Sequence, residues 1–276
     1  MKSRLALSCI VLAPLFALAA CGGPAVPQRA AESAATARSS QAADPRVASG
    51  IAAYERRDYS AALRILRPLA EQGNADAQVQ LGFMYARGDG VKADQAEAMR
   101  LYEQAAAQGN AEGMNAIGYK YDYGTGVPRD AAAAMSWYRK AIDHGSPRAL
   151  NNLAIMYHQG RGIPADRAEA LRLWMLAAEQ GNQNAMHNLG SAYLEPPESR
   201  DVGLAFRWWQ AAASGGHTGA MRSIAVELLS GRYVAPDREQ GIRWLELAAA
   251  RGDAAAMVDL GGLYRGGDLV KQDLSL

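Results

Sequence analysis

Apolar and polar positions along the chain return with a period of 36 residues, marked by tyrosines at Tyr85, Tyr121, Tyr157 and Tyr193. After a one-residue contraction the register continues at Leu228 and Tyr264. Within each period one apolar column reads Leu81, Ile117, Leu153, Leu189, Ile224, Leu260, and the next position is very small: Gly82, Gly118, Ala154, Gly190, Ala225, Gly261. An apolar residue, a small one and an aromatic three places later share one face of a helix, which predicts a notch where a neighbouring helix approaches closely. A second helix is predicted to begin at Asp94, Asp130, Asp166, Asp201 and Asp237, since aspartate is a favoured N-cap. Asp94/Glu97, Asp166/Glu169 and Asp237/Gln240 have the spacing of capping boxes. This helix is expected to bury Leu101, Trp137, Leu173, Trp208, Trp244 and the alanines Ala105, Ala141, Ala177, Ala212, Ala248. Gly109, Gly145, Gly181, Gly216 and Gly252 then stop it, where a left-handed cap suits glycine. Self-similarity at this period means stacked helical pairs, whose extended surface suits recognition of a partner better than chemistry.

The stretch before the repeats reads differently. Lys2 and Arg4 precede the apolar run Leu5 to Ala20, which is too short and wrongly flanked for a membrane span and reads as a secretory signal over 1–20. Residues 22–46 lack aromatics and periodicity, so 21–45 is expected to be a tether with a reach of roughly 25–30 Å. The helical pattern occupies 46–276. Its first unit, about 46–72, keeps the second helix behind a compressed loop. Its last helix, about 254–266, is expected to leave an apolar face incompletely covered, open to the tail, a partner or a second copy.

Charge and cysteine narrow the possibilities. Without Lys2 and Arg4 the mature charge is about −1, and no basic run is interleaved with aromatics, which argues against a nucleic-acid partner. Cys9 and Cys21 are the two cysteines, and Cys9 would leave with the signal, so neither a disulfide framework nor a cysteine-rich zinc site is expected. Gly88-Asp89-Gly90, Gly124-Thr125-Gly126 and Gly160-Arg161-Gly162 follow helices rather than strands, so they read as turns needing positive φ rather than dinucleotide loops. HExxH, GxSxG, Walker and SxxK sequences are lacking. His144, His158, His187 and His217 share no metal-ligand spacing, and neither a metal nor a cofactor is expected. The methionine column Met114, Met186, Met221, Met257 and the pairs Trp137-Tyr138 and Trp208-Trp209 read as core.

These recurring motifs resemble the Sel-one-like repeat family, relatives of tetratricopeptide repeats, over roughly 46–276. The resemblance implies an all-α chain: a right-handed α-solenoid of stacked helix–turn–helix repeats of about 36 residues, acting as a scaffold or adaptor rather than an enzyme. Two units depart from the pattern, one carrying Glu195-Pro196-Pro197-Glu198 in place of Gly-x-Gly, the next Leu228 for tyrosine. Leu18-Ala19-Ala20-Cys21 similarly resembles a bacterial lipobox, which implies lipidation of Cys21, a membrane anchor and, with Gly22 following, the outer membrane facing the periplasm. Some repeat lipoproteins are immunity proteins against secreted toxic effectors, a second reading. Cysteine-rich relatives associated with β-lactams suggest a third, but they use paired cysteines that this chain lacks.

Binding residues are expected where stacking does not dictate the side chain. By analogy with tetratricopeptide repeats the first helices line the concave face. Two before the apolar column stand Val79, Asn115, Asn151, His187, Arg222 and Val258; two after it stand Phe83, Tyr119, Ile155, Ser191, Val226 and Gly262. One turn further come Asp122, with Tyr123 beside it, and His158. Asn115 and Asn151 are expected to present amides to an extended peptide, and Arg148 or Arg222 to hold a carboxylate. Asn152 and Asn188, directly before the apolar column, are discounted.

Overall fold

The computed structural model describes residues 44–195 and 197–265. The signal, Cys21 and most of the tether, and the tail after Arg265, lie outside the described residues. Thirteen α-helices and no strand are found among the described residues. They alternate as α1 (Pro45–Glu55), α2 (Tyr59–Glu71), α3 (Ala75–Arg87), α4 (Gln95–Ala107), α5 (Ala111–Tyr123), α6 (Ala131–Asp143), α7 (Pro147–Gln159), α8 (Arg167–Glu179), α9 (Gln183–Ala192), α10 (Val202–Ser214), α11 (Thr218–Ser230), α12 (Arg238–Ala250) and α13 (Ala254–Arg265). Each odd-numbered helix packs on the helix that follows it and on the one before, which is the architecture of an all-α solenoid. The first helices also touch one another, α1 with α3, α3 with α5 and α5 with α7, whereas successive second helices meet at most marginally. Crowding on one side makes the odd-numbered helices the inner lining of a curved stack.

Local chemistry sets the boundaries as the pattern predicts. The carboxylates of Asp94, Asp130, Asp166, Asp201 and Asp237 accept from backbone N–H groups in the first turn of α4, α6, α8, α10 and α12. The capping boxes close only halfway. Glu97 and Glu169 bind Arg100 at 2.5 Å and Arg172 at 2.6 Å, so the N-cap backbone gains no acceptor from them. The turn joining the two helices of a pair is fixed by the cap aspartate's own N–H donating to the carbonyl of the periodic tyrosine: Asp94 to Tyr85, Asp130 to Tyr121 and Asp166 to Tyr157 at 2.9 Å, Asp201 to Tyr193 at 2.8 Å. Even the shortened fourth turn keeps this bond. There α9 ends early at Ala192, a 3₁₀ turn covers Pro197–Ser199, and the Arg167 guanidinium donates to the Ala192 and Glu195 carbonyls.

The notch is real, and the column expected to be buried on the second helices is only partly so: Leu101 and Leu173 are buried, but the side chain that fills the notch stands one residue later. Trp137, Trp208 and Trp244 are only half-buried. Tyr102, Tyr138, Trp174, Trp209 and Leu245 are the buried column. A Cβ added at Gly82 would stand 2.5 Å from the Tyr102 ring, one at Gly118 2.7 Å from Tyr138, one at Gly190 2.3 Å from Trp209. Each aromatic plug contributes roughly 1.5–3 kcal/mol of burial, which the missing side chain of the notch makes possible. The methionine column is core at Met114 and Met221, but Met257 is 50 % exposed because no described helix packs beyond α13. Val258 and Tyr264 share that uncovered face.

Candidate functional site on the inner helix face

The column expected to present free amides is spent on the stack itself. Asn152 Nδ2 donates to Asn115 Oδ1 at 3.0 Å, and Asn188 Nδ2 donates to Asn151 Oδ1 at 2.8 Å. Further along, His187 Nε2 meets Ser223 Oγ at 3.0 Å and Arg222 Nε donates to Asp259 at 2.6 Å. A polar ladder therefore joins α5, α7, α9, α11 and α13 in sequence. Asn115 and Asn151 are buried, and the discounted Asn152 and Asn188 are the donors that hold them. A buried amide oxygen left without a donor costs about 1–3 kcal/mol, so this ladder fixes the register between units.

A continuous groove runs beside the ladder. Its first part, about 360 Å³, has apolar walls of Val47, Ile51, Val79 and Phe83 with Asp76, Glu112 and Arg148 at the edge. Its central part, about 580 Å³, is lined by Phe83, Arg87, Asn115, Tyr119, Lys120, Arg148, Asn151 and Asn152, among others. Phe83 and Arg148 belong to both parts, which joins them. Of the expected residues, Asn115, Tyr119, Arg148 and Asn151 meet here. Arg148 reaches Glu112 at 3.3 Å across the edge, in water, where such a pair contributes little.

Asp122 does not face a partner. Its side chain is buried, bonded to Arg161 at 2.8 Å and receiving the Tyr138 hydroxyl at 3.4 Å. Burial raises its pKa, against the pull of Arg161. The reason is the stack: the Arg of the following Gly-Arg-Gly turn folds back over α5. Tyr123 is exposed, stacks on Tyr119 at 4.4 Å between ring centroids and carries the Arg161 guanidinium at 4.6 Å. His158 lies on Trp174 at 5.2 Å and near Glu195 at 4.0 Å. His187 stacks on His217 at 4.8 Å, and burial followed by the neighbouring His217 charge lowers its pKa to about 4. His158, His187 and Arg222 therefore lie further along the stack, outside the groove lining. Three or more possible metal ligands never cluster among the described residues.

Sequence reasoning missed Lys120, Arg87 and Gln95. The signal was present in register: one before the periodic tyrosine stand Met84, Lys120, Met156, Ala192 and Glu227. Met84, Met156 and Ala192 are buried core, and Lys120, only 4 % exposed, puts an ammonium into that column. Its Nζ donates to Gln95 Oε1 at 2.6 Å and Thr125 O at 3.3 Å, and burial lowers its pKa.

The profile of the Sel1 repeat matches seven successive segments, 50–74, 75–110, 111–146, 147–182, 183–217, 219–253 and 254–276. The chain belongs to the Sel1 repeat family. A solved Sel1 repeat protein from Oxalobacter formigenes is 30 % identical, with a TM-score of 0.67 over 83 % of this chain and 94 % of that one. A protective antigen of uropathogenic Escherichia coli with an SLR fold is 34 % identical at a TM-score of 0.57, over 74 % of this chain and 44 % of its own. An immunity protein of Pseudomonas aeruginosa shares the Sel1 fold at 20 % identity and a TM-score of 0.56, over 84 % of this chain and 85 % of that one. No curated protein matches. As a Sel1 repeat protein the chain has a fold suited to protein binding, in which each helical pair repeats a scaffold role.

Proposed function

We propose that this Sel1 solenoid is a non-catalytic scaffold or adaptor of the bacterial envelope, lipid-anchored at Cys21 and binding another protein through its inner groove. The observation that carries the reading is the groove itself, which runs across successive first helices with an apolar part, an exposed tyrosine step and a cationic, amide-lined part. Extended clefts of this kind take a peptide segment or a helix through a few anchor pockets. The tether would hold the groove clear of the lipid surface and raise the local concentration of an envelope partner. The lipobox resemblance and the apolar leader support the location. In the described residues no helix is long and apolar enough to cross a membrane.

The test is photocrosslinking in intact cells from probes placed at Phe83 and Tyr119, followed by identification of the captured protein and its crosslinked segment. One partner captured at both positions, and not from an outer-helix position such as Arg139, is the expected result. Capture that is equal from both sides of the solenoid sinks the groove. A second reading, immunity against a secreted effector, is favoured by two structures of similar fold that are named immunity proteins. It predicts that the captured partner is toxic to cells lacking this chain.

A further inference from the structure

We infer that the central part of the groove is a subsite for a carboxylate side chain of an acidic peptide segment, with Lys120 as its cationic floor. This rests on the groove reading above and names the chemistry of the partner. Stacking does not ask for a cation at this position, because Met84 and Met156 fill the same register in the flanking units and are fully buried. Nor does the turn ask for one. Gly124 caps α5 in the left-handed conformation just as Gly88 and Gly160 cap α3 and α7, where the residue four before the glycine is methionine. Taking an ammonium out of water costs several kcal/mol unless an anion answers it.

No carboxylate among the described residues answers it; beyond its two hydrogen bonds the Nζ lies 5.8 Å from the centroid of the Tyr102 ring, which is neutral. The two bonds to Gln95 and Thr125 are to neutral oxygens, and an ammonium has three protons to donate. The central groove is lined by the cations Arg87, Lys120 and Arg148 and by asparagine amides, with no aspartate or glutamate in its walls. That imbalance is local, since the whole chain has 29 basic and 28 acidic residues. Glu227 makes the contrast. It breaks the same buried column on α11, and there Arg232 and Arg200 stand near enough to pull its pKa down against the burial that raises it. Among the described residues no opposite charge acts on Lys120 in this way, and its place in the wall of a 580 Å³ groove lets a partner supply one. Burial depresses its pKa, and an arriving carboxylate would restore it.

The probe is a displayed random peptide library selected on the full chain, with each hit remade beside a twin whose Asp and Glu are Asn and Gln. Anisotropy on wild type, Lys120→Met and the distant control Arg243→Gln reads the affinities, and ¹⁵N-lysine spectra read the Lys120 ammonium. The acidic member should bind about tenfold tighter than its twin or better. That advantage should vanish in Lys120→Met, persist in Arg243→Gln, and accompany a rise in the Lys120 pKa. Lys120→Met should fold, since methionine already fills this column in two units. An empty selection, twins of equal affinity, or an advantage that survives Lys120→Met overturns the carboxylate subsite. Hits that crosslink to Tyr119 without acid preference would overturn it while leaving the groove reading intact; hits that crosslink only outside the inner helices would overturn both.

Discussion

The Arg161 guanidinium holds the Asp122 carboxylate at 2.8 Å while lying 4.6 Å above the Tyr123 ring, so one side chain from the fourth unit's turn seals the third unit's first helix. The aspartate side chain is 1 % exposed and the arginine 16 %, which makes this a buried pair. Removing one partner of such a pair leaves an uncompensated charge and costs about 3–5 kcal/mol. Arg161→Ala should therefore lower stability to urea by about 3 kcal/mol, with Asp122→Asn recovering part of the loss in the double variant. The penalty should also shrink on acidification. The folded Asp122 pKa lies above its ordinary value because the group is buried, so its proton binds the folded state first and this one group's contribution to stability rises as the pH falls towards about 4. Equal penalties in neutral and acid solution would contradict this account.

In the Gly-x-Gly turns the second glycine is fixed by the preceding unit. At Gly126, where φ is +80°, a Cβ would stand 2.5 Å from the Gln95 Cβ; at Gly162, φ +72°, it would stand 2.3 Å from the Ala131 Cβ. Gly181 has φ +81° but nothing within 4 Å. The left-handed conformation alone costs a non-glycine residue about 1–2 kcal/mol, and overpacking adds about 1–3 kcal/mol. Gly126→Ala and Gly162→Ala should each destabilise by about 3 kcal/mol and Gly181→Ala by about 1 kcal/mol, read as shifts of the urea midpoint at constant slope. Similar losses at all three positions would mean that backbone strain, not the contact between units, sets the glycine.

Much of the architecture could be read before any coordinate, because capping and turn chemistry are local. Asp94 and Gly109 act on their own helix, and their partners lie within a few residues. What could not be read were interactions that join units. Asn152, discounted for its place directly before the apolar column, is the donor to the buried Asn115. Asp122 looked exposed, since nothing near it in sequence announces that Arg161 will cover it. Recurrence puts the pair Trp137-Tyr138 in the core without separating its members, but helix rotation gives the notch to Tyr138 and leaves Trp137 half-buried. Lys120 was visible as a charge in an apolar register, yet it becomes meaningful only once Met84 and Met156 are seen fully buried around it.

Location rests on one sulfur. In the proposed reading the run ending Leu18-Ala19-Ala20-Cys21 would supply a modification site for acyl chains, which would hold the mature chain to a membrane. Cys21→Ala should leave the solenoid folded and move the protein from the membrane pellet to the soluble envelope fraction. Metabolic labelling with an alkyne fatty acid should tag the wild type and not the variant. Labelling or membrane retention that survives the substitution removes the anchor from the proposal.

His187 offers a different readout, the pH at which the stack loosens. It occupies the register of Asn115 and Asn151, bonds to Ser223 and stacks on His217, whose own Nδ1 accepts the Ala220 N–H as the cap of α11. Both imidazoles are held below their ordinary pKa by burial, His187 to about 4, although Asp253 pulls His217 the other way. A base with a lowered folded pKa contributes stability that is complete above its unfolded value of 6.5 and is lost as the pH falls towards about 4. Wild type should therefore lose urea stability between about pH 6.5 and about pH 4, beyond what the carboxylates explain. His187→Asn can keep a polar partner for Ser223, as asparagine serves two earlier units, so it should match wild type near neutrality. In acid it should be the more stable of the two, by the part of the loss that His187 protonation causes. Parallel pH profiles for the two proteins would show that this histidine pair carries no acid sensitivity.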